Sequence, residues 1–199
     1  MTEFSKLHRL LENLIRLGVV AEVQHRPPRV KVRTGSLITA WLPWIAGRAG
    51  ADQQWDPPTE GEQVLLLSPS GQLANGVAVT GLFSDAIPAN GERAGLHRRT
   101  YRDGAVIEYD SVAHHLNAVL PNGGTTRLTS TGGIHITGPI FHEGDYTQTG
   151  NFTQIGDQQI TGEVAVSVDV TAAGVSLVGH PHGGVTKGSD QTGTPEATS

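Results

Sequence analysis

Apolar positions at the start of the chain fall at helical spacing. Phe4, Leu7, Leu11 and Leu14 are three or four residues apart, and Leu10 and Leu17 widen the stripe. This predicts an amphipathic helix over residues 1–17, ending at Gly18, a residue type suited to a C-cap. Such a helix either covers one end of a neighbouring fold or serves as a docking or trimerising surface. The stripe is too short to decide between these. From Val19 the period changes to two. "VVAEVQH" and "RVKVRTG" alternate on either side of Pro27-Pro28; "ITAWLPWIA", "EQVLLLSPSG" and "NGVAVTGLFS" come next, with turn residues between them.

Five short strands over residues 18–88 suit a small closed barrel of the OB type. That fold raises the question of nucleic acid. His25, Arg26, Arg29, Lys31 and Arg33 form a local basic segment. Alternation places the charges on a solvated strand face, and stacking aromatics are few, so a solvated or protein-docking face is the better reading. Residues 84–99 are rich in Pro, Gly, Asn and charge. The linker is placed at 89–99.

Residues 100–178 read as short repetitive strands. "DGAVIEYD", "HLNAVLP" and "GGIHITG" alternate. A six-residue repeat then runs through "DYTQTG", "NFTQIG" and "DQQITG", each unit opening with Asp or Asn and closing with Gly. Fixed short periods mark solenoids or fibres, and Gly followed by Asp or Asn marks a turn. In "EVAVSVDV", Val164, Val166, Val168 and Val170 alternate strictly, so one face is apolar.

Each unit carries only one or two apolar side chains. Ordering a backbone costs roughly 1–2 kcal/mol per residue, and a lone chain of such strands also leaves unpaired edges. Several identical chains wound together solve both problems, with apolar faces meeting on a common axis. The expected fold is therefore all-β: an N-terminal helix and OB-fold barrel, then an intertwined three-chain β-helix with a pointed C-terminal apex, as a homotrimer. A single-chain solenoid is the structural alternative.

Composition narrows the chemistry. The formal net charge of −5 gives no global basic field for nucleic acid, and there is no cysteine, which excludes disulfides, thiolate metal sites and cysteine nucleophiles. The N-terminus has Glu3 and Glu12 among its apolar residues and reads as no signal peptide. No apolar run reaches the length of a membrane span. Synthesis in the bacterial cytoplasm without the usual export is expected.

Residues 179–199 open on "GHPHGG". In an extended segment His180 and His182 point to the same side, with Pro181 between them and glycines around them. In one chain this is half a metal site at most. On a threefold axis six imidazoles converge, a donor count that suits an octahedral ion rather than zinc, and nearby carboxylates for calcium or magnesium are absent. Iron, nickel, copper and zinc all accept imidazole, so the residues alone leave the choice among first-row metals open.

The barrel, the Gly/Thr/Gln-rich β-region and the terminal "GHPHGGV" leading to "TGTP" together resemble the baseplate assembly protein V family, the central spikes of contractile-tailed phages and R-type pyocins. The resemblance covers nearly the whole chain, and the C-terminal motif is its most specific part. It implies a homotrimer whose OB end docks on the tail hub of the baseplate. It implies one iron ion per trimer, octahedral, held by six His ligands: His180 and His182 of each chain. It implies a location at the tip of a virion or tailocin tail, and mechanical piercing of the bacterial outer membrane on contraction. No nucleic acid and no small-molecule substrate are expected, and Val185 to Ser199 is expected to fold back along the tip.

An enzyme is disfavoured. The sequence has no phosphate loop, no His-Glu-x-x-His and no nucleophile elbow. Asp103, Glu108 and Asp110, like Glu143 and Asp145, read as solvated turn residues. His114 and His115 diverge if extended, and His135 and His142 are isolated. A receptor- or carbohydrate-binding tail fibre and a type VI secretion-like spike tip are the alternatives. Scarce aromatics argue against the first and short length against the second.

Overall fold

The computed structural model describes residues 3–181, 183, 184, 186, 188 and 189. The chain is all-β with one N-terminal helix, and it divides into two units, residues 1–134 and 135–199.

Helix α1 spans Glu3–Asn13 and strand β1 spans Ile15–His25. The helix thus ends before Gly18, the expected C-cap. β1 already pairs with a later strand at Ile15, and Gly18 lies inside the barrel, where a Cβ would collide with the side chain of Val32 and lie 2.9 Å from the Arg33 carbonyl oxygen. Gly18 is a packing glycine. Arg16 marks the junction, donating to Asn13 Oδ1 at 2.9 Å and to Thr34 Oγ1 at 3.1 Å.

Strands β2 (Pro28–Thr34), β3 (Leu37–Ile38), β4 (Gln63–Leu67) and β5 (Val77–Leu82) complete an antiparallel sheet in the order β3-β2-β1-β4-β5. Residues 42–45 close it. Leu42 bridges Val30 of β2 while Trp44 bridges Ala78 of β5. Ala78 donates to the Pro43 carbonyl and Ile45 to the Ala78 carbonyl, both at 2.9 Å. Closure removes the open edges that would invite aggregation.

Alternation puts Val30, Val32 and Thr34 inside, and Val64 and Leu66 likewise from β4. With Val20, Leu42 and Ala78 they form the core, each at most 2% exposed. Buried Thr34 is satisfied by donating to the Leu17 carbonyl at 2.9 Å. The α1 stripe faces away from this core: Phe4, Leu7 and Leu11 are exposed, and Leu10 and Asn13 are only partly covered.

A second sheet, β6 (Leu96–Thr100), β7 (Val106–Asp110) and β8 (His115–Val119), is an antiparallel meander. Its first strand occupies residues expected to be linker. Arg98 donates to Glu108 at 2.7 Å and to the Asn90 carbonyl at 3.0 Å, Arg93 pairs with Asp110, and Arg99 reaches Asp56 at 2.7 Å. Residues 90–93 are therefore fastened to the sheet. Between Val119 and Thr171 the described residues contain no strand.

Candidate metal-binding apex

The six-residue repeat is visible in the backbone. Gly138, Gly144, Gly150, Gly156 and Gly162 all have φ between +109° and +131°. L-residues rarely adopt that region, so each unit needs its closing glycine. Two units share a further contact across this corner. Gln148 Nε2 donates to the Asn151 carbonyl at 2.9 Å, and Gln154 Nε2 to the Asp157 carbonyl at 2.6 Å. The repeat therefore extends to Gly138, one unit before "DYTQTG" and past a unit, "PIFHEG", whose composition hides it. The apolar side chains between and just after these corners stand in solvent in the single chain. Phe141 is 94% exposed, Ile155 fully exposed and Val168 84% exposed.

After the repeats, β9 (Thr171–Ala172) and β10 (Val175–Ser176) form a small hairpin. Its two central residues, Ala173 (φ 50°) and Gly174 (φ 83°), both have positive φ, the backbone sense of a type I′ turn. The sequence reading missed this hairpin; the turn signal is Ala-Gly, weaker than the Asn-Gly pair that usually marks it.

Asp169 fastens the hairpin to the segment that leads into the apex motif. Its Oδ1 accepts the backbone N–H of Val170 at 2.8 Å and of Val178 at 3.2 Å. A hydrogen bond from the Ser176 side chain, with these backbone donors, holds the Asp169 carboxyl below the usual carboxylate range. Leu177 N–H donates to the Val170 carbonyl at 2.8 Å. Ser176 continues the chain of contacts. Its Oγ accepts from Gly179 N–H at 2.9 Å, and its carbonyl lies 2.8 Å from His180 Nδ1.

His180 is exposed and oriented by that carbonyl. A ring with its hydrogen on Nδ1 carries its lone pair on Nε2, the arrangement that metal-ligating histidines show when a carbonyl holds the other nitrogen. His182 and most of Val185 to Ser199 lie outside the described residues, so neither the second ligand nor the folded-back tail is described. Among the described residues of one chain, no three His, Asp or Glu side chains are grouped to hold a metal ion.

The remaining candidates have structural work. Asp103 Oδ1 accepts Ala105 N–H at 3.0 Å in a turn. Asp110 accepts the N–H groups of Val112 and Ala113 besides pairing with Arg93, and Glu108 faces Arg98 and Asn117. His114 has φ 52° at the β7–β8 turn, outside the strand that His115 begins. His142 packs edge-on to Tyr146 at 5.9 Å. Glu143, Asp145 and His135 are exposed.

Comparison with known proteins lies along these same features. Residues 16–83, the barrel, match the family described as the type VI secretion system/phage-baseplate injector OB domain. Residues 174–196, from the hairpin turn through both histidines, match the GpV Apex motif. A relative, the spike protein of Escherichia phage P2, is 33% identical over 141 residues. The match covers 70% of this chain and 65% of the relative's length. An injector OB domain at one end and an apex motif at the other, in the order expected, belong to a structural protein and not to an enzyme family. Together with the P2 likeness they support kinship with the baseplate spike family.

Proposed function

We propose that this chain is the central spike of a contractile tail baseplate, working as a homotrimer that caps the tail tube and pierces the bacterial outer membrane on contraction. The observation that carries the reading is the state of residues 134–170. They hold a regular series of glycine corners, yet in one chain they form no strand pairs and leave Ile136, Phe141, Phe152, Ile155 and Val164 exposed. Extended backbone and apolar side chains in this condition require partner strands. Two further copies of the same repeat supply them in register.

In this reading residues 100–178 wind into the three-chain shaft, and the barrel end attaches to the tail hub. His180 and His182 of each chain hold one iron ion between them. The apex match and the Nδ1 contact of His180 support this, since imidazole nitrogen is a suitable donor for iron. The ion supplies no reaction; it ties three chain ends where a fibre otherwise frays. Asp169 and Ser176 hold each His180 ring ready.

Native mass spectrometry with elemental analysis tests the reading. The expected result is a trimer carrying about one iron per three chains. A monomer, or a trimer purified without chelator that carries no metal, overturns it.

A further inference from the structure

We propose that the groove beside the β1–β2 turn of the barrel docks an acidic segment of another baseplate protein, anchored by an apolar side chain. The proposal rests on the baseplate reading above and names the surface and the partner's chemistry.

The chain has three tryptophans, and all lie in or beside the stretch that closes the barrel: Trp41, Trp44 and Trp55. Trp44 is half-buried and fixed by its bridge to Ala78. Trp55 leans on it, ring centroids 5.9 Å apart, and on His25 at 6.1 Å, yet remains 60% exposed. Between them opens a groove of about 550 Å³, lined by Pro28, Arg29, Pro43, Trp44, Arg48 and Trp55 among others. That lies within the roughly 300–1,000 Å³ typical of pockets that hold compact ligands. A rigid aromatic floor accepts an apolar side chain with little loss of freedom.

The rim is positive although the whole chain is acidic. Arg29 and Arg48 line the groove, and Arg26 lines the adjoining opening beside His25 and Trp55. Nearby carboxylates are engaged elsewhere: Glu22 with Lys31 at 3.0 Å, and Asp56 with Arg99 at 2.7 Å. Asp52 stands 3.9 Å from Arg48, both well exposed, a pair that water screens heavily. Among the described residues no carboxylate pairs with Arg26 or Arg29. Arg29 Nη1 donates to its neighbour's carbonyl, that of Pro28, at 2.7 Å, which fixes its head at the groove. Trp with flanking Arg is the composition of interface hot spots, and the missing counter-charge is the partner's.

Nucleic acid fits less well. Its bases need parallel aromatic faces, whereas these rings are tilted by 55° and 58°. A second copy of this chain is the other occupant to be separated.

The test replaces Trp55 with the photo-cross-linker p-benzoylphenylalanine in the parent tail particle, and sequences the peptides linked on illumination. The expected link is to a different baseplate protein, at an apolar residue with Asp or Glu close by in sequence. A link to another copy of this chain, a link to nucleic acid, or no link from a spike demonstrably present in the particle overturns the proposal. Combined Arg29→Glu and Arg48→Glu should lower spike copies per particle at least tenfold with native mass and metal content unchanged. Unchanged occupancy overturns it as well. Absence of the unmodified chain from purified tails instead overturns the baseplate reading, and the docking proposal with it.

Discussion

His180 Nδ1 lies 2.8 Å from the carbonyl oxygen of Ser176, the last residue of the small hairpin whose turn opens the apex match. The ring is thus oriented by backbone four residues earlier, and that backbone is fastened in turn by Asp169. In the proposed iron site the hairpin would be a positioning device for His180. Asp169→Ala removes the acceptor for Val170 and Val178 N–H and the partner of Ser176. Outer contacts of this kind alter metal affinity by about 10–100-fold. The variant should remain trimeric but lose iron to a chelator about tenfold faster. Iron release followed by absorbance, alongside native mass, checks this; an unchanged release rate removes Asp169 from the apex.

Residues of the barrel and of α1 should respond unequally to substitution. Leu66 is fully buried, and Leu66→Ala leaves a cavity costing about 2–5 kcal/mol. Leu7 is 56% exposed on the outward face of α1. Leu7→Ser should change barrel stability by less than about 0.5 kcal/mol. Urea denaturation monitored by tryptophan fluorescence separates the two, because Trp44 sits at the barrel seam. A large loss for Leu7→Ser would mean that the stripe covers the barrel after all.

These two leucines also show what the sequence could and could not reveal. Leu66 was legible as part of an apolar strand, but β4 reads Val-Leu-Leu-Leu, so its face was not; only the structure shows Val64 and Leu66 turned inward. The α1 stripe was legible as a helix, but its partner was not, since amphipathicity states that a face is apolar and not what meets it. Gly18 misled for a related reason: glycine permits a C-cap and also permits close packing, and only the Val32 contact decides. Strand β6 was hidden because "LHRRT" carries one apolar residue; its ladder with β7 and ion pairs to Glu108 and Asp56, rather than burial, hold it. At the apex, "GHPHGG" was legible as a candidate ligand pair. The Asp169–Ser176–His180 relay was not, because it joins those side chains to backbone groups that every residue shares.

The meander of β6–β8 should be acid-sensitive. Asp110 is held well below the usual carboxylate range, first by its hydrogen bond from Arg93 and then by the N–H groups of Ala113 and Val112. Glu108 is lowered chiefly by Arg98. Both folded pKa values lie below the unfolded ones. Their stabilisation is therefore complete above the ordinary carboxylate range, near pH 4, and is lost as pH falls through the folded values. The protection of the Ile107 and Tyr109 amides against exchange, relative to the intrinsic rate at each pH, should fall below about pH 4 while Val32 in the barrel stays protected. Arg93→Ala should move the onset to higher pH by raising Asp110 toward its ordinary value. An onset unmoved by that change would show that the pair does not couple to the sheet.

The glycine corners offer the sharpest test of the shaft, because space and conformation can be separated there. Gly156 has φ +117°, and a Cβ built on it meets no atom within 4 Å in the single chain. Gly132 is equally open but is free of the positive-φ constraint. Alanine at Gly132 should therefore be tolerated. Alanine at Gly156 must hold an L-residue in a region that costs about 1–3 kcal/mol, and a trimer incurs that cost once per chain. If residues 134–170 form a shared shaft, Gly156→Ala lowers the trimer's melting temperature well beyond Gly132→Ala, and the deficit grows when Gly150→Ala is added. If each chain instead carries these residues as an unpaired extension, the backbone relaxes and all three variants melt together. Thermal melts by far-ultraviolet circular dichroism, with native mass read at each stage, distinguish the outcomes. Equal melting would leave the barrel and apex without the stiff connection that a piercing spike requires.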